Sequence, residues 1–340
     1  MIGAIYRGPM KITVENVEIP SIQEGELLLR VKAVGVCPTD VKVYRRGSSS
    51  VQAPRILGHE VVGEVAESRT PSVSVGERVN VAADSPCLEC SNCRRGLENI
   101  CTSMQSLGVN IDGGYAQFMR VPREFVDKGL VLPLPDGVSW ESGALVEPVA
   151  VSLHALSLGR PRERDLTVVI GDGPNALIHT QLLKNIFHVR RVIVVGLMEH
   201  RLKQASILGA DETLKVQDLG KEIGKLKEEG IDLLDLTIAN EPSVREAMDL
   251  LTAGTKLVIF GGSQTDLPLR IDTNSVHYKQ LTITGSTGTT VDEYRKAHQL
   301  VVAGQINLDK IISHTFSLYE IRKALEFTES QQGLKSVVIP

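Results

Sequence analysis

The sequence lacks the features that would point to nucleic acid, a membrane or secretion. Its formal net charge is -4 and it has no long basic stretch, which argues against nucleic acid or an anionic membrane as partner. No apolar run is long enough to span a bilayer. The first residues, Met1 to Tyr6, are too short a stretch and too soon followed by charge to form a signal peptide. These absences predict a cytoplasmic protein with no membrane partner.

Cysteine is also scarce, since the chain has five, and four of them lie within fifteen residues. Cys87, Cys90, Cys93 and Cys101 are separated by two, two and seven residues. Four thiolates suit a tetrahedral zinc ion, and close spacing keeps the entropy of loop closure small. An iron–sulfur site or two disulfides are the alternatives, but neither the spacing nor a reducing cytosol favours disulfides. We therefore predict a closed structural zinc site in a lobe of residues 86–102.

The remaining composition is ordinary for a chain that can bury a sizeable core. The 340 residues, 42% hydrophobic and 23% charged, correspond to about two domains by the usual length prior. Short runs of alternating apolar and polar residues in positions 1–35, separated by turn residues, predict antiparallel β structure. The N-terminal part is thus expected to be mainly β.

The fifth cysteine, Cys37, follows a strand-like run and is succeeded by a hydroxyl and a carboxylate at Thr39 and Asp40. A lone cysteine is more often buried filler. Further along, His59 and Glu60 stand side by side in an apolar run bounded by glycines. Neighbours on a strand point to opposite faces, so both reach one point only if the backbone bends there. Taken with Cys37, they form the thiol, imidazole and carboxylate set of a catalytic zinc.

The second half of the chain carries a pattern typical of a dinucleotide site. The apolar run at 166–170 predicts a buried parallel strand, and a Gly-x-Gly-x-x-Ala turn follows directly before a helix-like segment. The glycines allow close approach to a pyrophosphate, and the helix N-terminus supplies amide donors. The predicted cofactor-binding residues of this turn are Gly171, Gly173, Pro174, Asn175 and Ala176.

Further strand-like runs at 191–195, 232–238 and 257–262 continue this half of the chain. Right-handed crossovers between them predict one doubly wound parallel sheet, and therefore an α/β fold.

The residue at the end of the second strand is Gly196, where NAD-binding proteins place an acid that bonds the ribose. The missing carboxylate removes repulsion against a 2′-phosphate, and Arg201, with His200 beside it, can pair with that group. Glu199 is an alternative acid for the ribose. The sequence modestly favours NADP, with use of NAD or of both left open.

Several motifs together resemble one known family. Gly58-His59-Glu60-x-x-Gly63, with Gly76-Glu77-Arg78-Val79 further on, resembles the zinc signature of the medium-chain dehydrogenase/reductase superfamily. The four-cysteine lobe follows where that superfamily has its structural zinc, and the runs 113–116 and 134–139 also fit. The resemblance covers essentially the whole chain. The gap between Gly63 and Gly76 is longer than usual, which indicates a loop insertion.

The run Ala144 to Ala150, with Glu147 followed by Pro148, resembles the polyol, sugar and threonine dehydrogenase branch of the superfamily. The resemblance implies that Glu147 is a fourth residue of the catalytic zinc site. The alternative is that Glu147 is only a helix N-terminal acid, stabilised by the helix dipole.

The resemblance implies a GroES-like catalytic domain over residues 1–150 and 290–340, and a Rossmann cofactor domain over 151–289. It implies two zinc ions per chain and hydride transfer between NAD or NADP and an alcohol group of a polyol, sugar or secondary alcohol. L-Threonine is the alternative substrate. The run 281–286 resembles the strand that pairs across the family's subunit interface, which implies a homo-tetramer or homo-dimer.

In the family, a hydroxyl two residues after the ligand cysteine passes the substrate proton onward, which assigns that role to Thr39. The relay usually ends in a histidine, but here that residue is Lys42, a poorer proton exchanger near neutrality. The alternatives are a zinc-free reductase of the same superfamily and a non-catalytic dinucleotide-binding protein. Both are disfavoured because Cys37, His59, Glu60 and the relay hydroxyl are all present.

Overall fold

A computed structural model describes residues 1–263 and 266–340 of the chain. It divides into two compact units, one of Met1–Ala150 with Thr289–Pro340 and the other of Val151–Gly288. Within the described residues, no helix is both long and apolar enough to cross a lipid bilayer.

The N-terminal segment is mainly β structure, interrupted by short helices. Its strands are β1 (Ile2–Gly8), β2 (Lys11–Asn16), β3 (Leu27–Gly35), β4 (Arg55–Ile56), β5 (Glu60–Ser68), β6 (Arg78–Val81), β7 (Asp84–Ser85), β8 (Gln105–Ser106), β9 (Phe118–Val121) and β10 (Val131–Pro133). Its helices are α1 (Pro38–Arg46), α2 (Ser91–Arg94), α3 (Arg123–Asp127), α4 (Trp140–Ala144) and α5 (Val146–Gly159), with a 3-10 turn at Glu98–Ile100.

The next segment alternates strands with helices. The strands are β11 (Leu166–Ile170), β12 (Arg191–Gly196), β13 (Glu212–Lys215), β14 (Leu233–Leu236), β15 (Lys256–Ile259) and β16 (Thr282–Gly285). The helices are α6 (Pro174–Asn185), α7 (Glu199–Ile207), α8 (Val216–Glu229), α9 (Glu241–Asp249) and α10 (Thr273–Tyr278). The chain then returns to the first unit through α11 (Val291–Val302), β17 (Ile312–Ser317), a 3-10 turn (Leu318–Glu320), α12 (Ile321–Ser330) and β18 (Lys335–Ile339).

The first unit is built on a seven-stranded sheet. Six strands follow the order β10-β6-β5-β3-β18-β17, and β9 also pairs with β3. All pairs are antiparallel except β17 with β18. The register of β3 against β5 shifts twice, which indicates one β-bulge in each of the two strands. One face packs a small apolar cluster that includes Ala33, Val62 and Val337, with Trp140 against it.

The second unit is a six-stranded sheet in the order β13-β12-β11-β14-β15-β16, and every pair in it is parallel. With the strands counted from β11, this is the doubly wound 3-2-1-4-5-6 order. β11 and β14 are buried at every position, as expected of parallel strands that helices cover on both faces. The predicted α/β fold class is confirmed.

Candidate functional site

The four clustered cysteines lie in the loop between β7 and β8, around the single turn of α2. Their sulfurs approach closely: Cys90 to Cys93 is 3.5 Å, Cys87 to Cys101 is 3.4 Å, Cys90 to Cys101 is 3.9 Å and Cys87 to Cys93 is 4.0 Å. A tetrahedral ion with metal–sulfur bonds of ~2.3 Å has sulfur–sulfur edges of about 3.8 Å. The four sulfurs therefore fit the shell of one zinc ion, and each is a free thiol rather than half of a disulfide.

The backbone of this lobe points amide groups at the sulfurs. Cys90 N donates to Cys87 Sγ at 3.3 Å, and Ser103 N donates to Cys101 Sγ at 3.3 Å. Such bonds favour the thiolate. Burial and the neighbouring cysteines nevertheless raise the pKa of Cys93 to about 12, and a bound cation would favour the thiolate form of all four.

A second group of metal-ligating atoms forms in the same unit, where Cys37, His59 and Glu60 each offer one ligand atom within 4.8 Å of the others. Cys37 is the N-cap of α1, and Glu60 is the first residue of β5. His59 lies just outside the strand, so the alternation of strand side chains does not separate it from Glu60.

Two glycines make this arrangement possible. Gly58 has a φ of +90°, a left-handed conformation that favours glycine, and it turns the chain immediately before His59. Gly35 lies under the Glu60 carboxylate, because a Cβ at Gly35 would stand 1.8 Å from Glu60 Oε2. Any side chain at position 35 would therefore displace the carboxylate from the cluster.

Glu60 is the most constrained member of the cluster. Its Oε1 lies 2.5 Å from the Nζ of Lys335, with only 1% of Glu60 and 5% of Lys335 exposed. Its Oε2 is buried and has no hydrogen-bond partner among the described residues. A buried carboxylate oxygen without a partner is costly, and a metal cation beside it would satisfy it. The donor set and the orphaned oxygen together fit zinc.

Burial by itself lowers the pKa of Lys335, but the Glu60 carboxylate and the Cys37 thiolate outweigh it and raise the pKa of Lys335 above its ordinary value. Lys335 therefore lies buried beside the cluster, at ion-pair distance from Glu60.

Asp40 supports both Cys37 and His59. Its Oδ2 accepts from Cys37 N at 3.1 Å and from the Tyr115 hydroxyl at 2.9 Å, and its Oδ1 lies 3.5 Å from His59 Nδ1. Burial raises the pKa of Asp40, but the charge and hydrogen bond of His59 outweigh it and lower the pKa overall. A carboxylate on one ring nitrogen orients a histidine and leaves the other nitrogen for a ligand.

Glu147 lies in the first turn of α5 and is not a member of the three-residue cluster. It lines a small cavity with Asp84 and Tyr294. Burial and the Glu60 carboxylate, opposed by His59, raise the pKa of Glu147 to about 7. The charges of His59 and Glu60 therefore affect the pKa of Glu147.

Thr39 and Lys42, the two residues assigned to a proton relay, both lie exposed on α1. Thr39 N donates to Cys37 Sγ at 3.5 Å, so the Thr39 backbone contacts the thiol.

In the second unit, the glycine turn joins β11 to α6. Gly171 has a φ of +121°, and a Cβ there would stand 2.3 Å from Thr237 Oγ1. Gly173 is the N-cap of α6, and a Cβ there would meet nothing within 4 Å. Pro174, Asn175 and Ala176 form the first turn of this twelve-residue helix. The open face at Gly173 and the free amides of the helix N-terminus fit a pyrophosphate.

Asp172 lies beside both Gly196 and Arg201, a contact that the sequence did not indicate. The space beside Gly196 is filled by Asp172, whose Cβ would be 2.5 Å from a Cβ at Gly196. Arg201 is 4% exposed, and its guanidinium lies 3.4 Å from Asp172 Oδ1. The carboxylate that lies beside the end of β12 therefore comes from the glycine turn.

Sequence reasoning missed Lys335 and Asp172. The signal for Lys335 was a lysine opening an otherwise apolar strand, which needs a buried counter-charge. The signal for Asp172 was an acid inside the glycine turn, but nothing local indicated its contact with residues 196–201.

Comparisons with known proteins agree with both units. The model of the alcohol dehydrogenase GroES-like domain matches residues 23–136, and the model of the zinc-binding dehydrogenase domain matches residues 176–303. The starvation-sensing protein RspB of Escherichia coli (strain K12) is 30% identical over 337 residues, which cover 98% of this chain and 96% of that protein. Sorbitol dehydrogenase of Bacillus subtilis (strain 168) is 29% identical, with coverage of 100% and 97%.

Two solved structures are similar over all of this chain. The E. coli CFT073 alcohol dehydrogenase rspB, complexed with NADH, has a TM-score of 0.90 and 27% identity, and 99% of it is covered. A zinc-binding dehydrogenase of Sinorhizobium meliloti 1021, bound to NADP, has a TM-score of 0.92 and 26% identity, again with 99% covered.

Proposed function

This chain belongs to the zinc-type alcohol dehydrogenases of the medium-chain dehydrogenase/reductase superfamily, and we propose that Cys37, His59 and Glu60 bind its catalytic zinc. The enzyme is a zinc-dependent oxidoreductase that transfers a hydride between an alcohol and NAD(P). The preferred alcohol is proposed to be a polyol, a sugar or another secondary alcohol, as for the sorbitol dehydrogenase that it resembles.

One observation carries the site assignment. A thiol, an imidazole and a carboxylate converge within 4.8 Å, and the buried Oε2 of the carboxylate has no partner among the described residues. Zinc bound there supplies a Lewis acid that lowers the pKa of a substrate hydroxyl. The three donors of this group would leave room at such an ion for a further donor, unlike the closed four-cysteine site.

The other residues orient the zinc-binding side chains or transfer the proton of the alcohol hydroxyl. Asp40 holds the Cys37 backbone and the His59 ring, and Lys335 offsets the charge of Glu60. Oxidation of the alcohol removes a hydride from its carbon and a proton from its oxygen. A bound nicotinamide coenzyme would accept the hydride. We assign transfer of that proton to Thr39, from which it would pass through the coenzyme ribose or directly to water rather than through Lys42.

Glu147 is proposed as the fourth residue of the zinc site. Support comes from its burial and from the influence of His59, Glu60 and Lys335 on its pKa. Cys87, Cys90, Cys93 and Cys101 are proposed to hold a second, structural zinc. Gly171, Gly173, Pro174, Asn175 and Ala176 are proposed to bind the coenzyme pyrophosphate, with Gly196 and Arg201 near its ribose.

A substrate panel tests the proposal. Zinc-loaded enzyme is offered polyols, aldoses, secondary alcohols and L-threonine with each coenzyme, and NADH or NADPH formation is followed by absorbance. We expect the highest kcat/KM for a polyol, sugar or secondary alcohol. A preference for L-threonine would replace the proposed substrate class, and failure to oxidise any alcohol would refute it.

The protein is further proposed to be a cytoplasmic homo-oligomer, a dimer or tetramer joined through β16. Support comes from the resemblance of residues 281–286 to the interface strand of the family. Light scattering after size exclusion would return a dimer or tetramer mass if this is right, and a monomer mass would contradict it.

A further inference from the structure

The loop after β12 is held by an acid from the glycine turn. Asp172 Oδ2 accepts hydrogen bonds from Leu197 N at 2.7 Å and from Met198 N at 2.8 Å. Its Oδ1 lies 3.4 Å from the guanidinium of Arg201, in the first turn of α7. Asp172 is 8% exposed, so the carboxylate is nearly enclosed by these groups.

These partners form a pocket for an anion. Two backbone amides converge on one point, the guanidinium of Arg201 faces it, and the nine-residue helix α7 directs its N-terminus there. Guanidinium groups and amides at a helix N-terminus are the donors that bind phosphate. In this chain the negatively charged carboxylate of Asp172 already occupies the pocket.

The position of the pocket links it to the coenzyme. In doubly wound folds the end of the second strand of the sheet, here β12, is where the adenosine ribose is recognised. A side chain at Gly196 would collide with Asp172, so the usual acid cannot be added while Asp172 keeps its position. Glu199 does not replace it, because its carboxylate is 81% exposed and pairs with Lys215 Nζ at 2.6 Å.

We propose that Asp172 determines coenzyme specificity: its carboxylate occupies the anion pocket formed by the Leu197 and Met198 amides and Arg201, and so selects NAD(H) over NADP(H). A 2′-phosphate entering this region meets a fixed negative charge, and its strongest donors are already engaged. The 2′-hydroxyl of NAD carries no charge to be repelled. The inference deepens the proposed function and rests on it only in requiring a nicotinamide dinucleotide as coenzyme.

Binding titrations of the zinc-loaded, full-length protein test this without any alcohol. Dissociation constants for NADH and NADPH are measured by coenzyme fluorescence, and those for 5′-AMP and 2′,5′-ADP by calorimetry, at one ionic strength. The variants are Asp172→Asn, which removes the charge at nearly constant shape, and Glu199→Gln as the control for an exposed acid of the same loop.

Wild type is expected to bind NADH at least about tenfold more tightly than NADPH, a difference of about 1.4 kcal/mol. Asp172→Asn is expected to shift the ratio toward NADPH by about tenfold, with the same trend for 2′,5′-ADP, and Glu199→Gln to leave it within about twofold. Equal or tighter binding of NADPH by wild type would overturn the inference, even if Asp172→Asn fails to fold. An unchanged ratio in a folded Asp172→Asn would overturn it as well. Tight NADH binding without oxidation of any alcohol would instead contradict the proposed function alone.

Discussion

Replacing Lys335 with methionine should cost far more stability than an ordinary lysine substitution. The Lys335 and Glu60 side chains are 6% and 1% exposed, and their charged atoms are 2.5 Å apart. At an effective dielectric constant of ~20, two unit charges at that separation attract by about 7 kcal/mol. Removing one partner of a buried pair leaves the other charge uncompensated, which typically costs about 3–5 kcal/mol. We expect a loss in that range for Lys335→Met.

The chain offers both a probe and a control for this experiment. Trp140 is the only tryptophan, and it packs on the apolar cluster that contains Val337 of β18, so its fluorescence during urea unfolding reports on the first unit. The control is Lys323→Met, because Lys323 pairs with Glu320 but is 72% exposed. Such a surface pair is worth about 0–1 kcal/mol.

Zinc on Glu60 would supply part of the positive charge that Lys335→Met removes. The loss of unfolding free energy should therefore be greater after the catalytic zinc is stripped with a mild chelator than in zinc-loaded protein. A loss below about 1 kcal/mol in both states, no larger than for Lys323→Met, would refute the view that Lys335 compensates the buried carboxylate.

Three further changes have defined outcomes. Cys90→Ser should lower the zinc content from about two ions per chain to about one and reduce the thermal midpoint, since structural zinc contributes folding energy; elemental analysis showing no change would contradict the four-cysteine site. His179→Leu should destabilise the protein by about 3–5 kcal/mol, because His179 Nδ1 lies 2.6 Å from Asp235 with both side chains fully buried; calorimetry measures the loss, and adding Asp235→Asn should restore part of it. Glu147→Gln should weaken zinc binding and lower kcat, whereas unchanged zinc content and kinetics, with a stability cost under about 1 kcal/mol, would leave Glu147 as a helix N-terminal acid only.

Much of the fold could be predicted from local pattern, and particular residues show why. The mostly apolar runs at β11 and β12 are recognisable because parallel strands are covered on both faces. The turn at Gly171 is recognisable because it must combine glycine freedom with a helix start. Gly58, next to His59, indicated the bend that brings His59 and Glu60 to one place, and Gly58 has a positive φ in the structure.

The rest depends on contacts between distant residues, which local pattern does not encode. Lys335 reaches Glu60 across 275 positions of sequence, through the pairing of β18 with β3, and nothing near either residue specifies the other. Asp172 and Arg201 look like a turn residue and a phosphate-binding arginine when each is read alone. The parallel pairing of β11 with β12 brings them together.

The most direct test of the central claim is the zinc content and alcohol-dependent coenzyme reduction of His59→Ala beside wild type. The account predicts about two zinc ions per chain and measurable turnover for wild type. For His59→Ala it predicts about one zinc ion, unchanged NADH binding, nearly unchanged folding, and turnover lower by at least about a thousandfold, since an open zinc site supplies several kcal/mol of catalysis. Turnover of His59→Ala within about tenfold of wild type, at any zinc content, would contradict the assignment of Cys37, His59 and Glu60 as the catalytic zinc site.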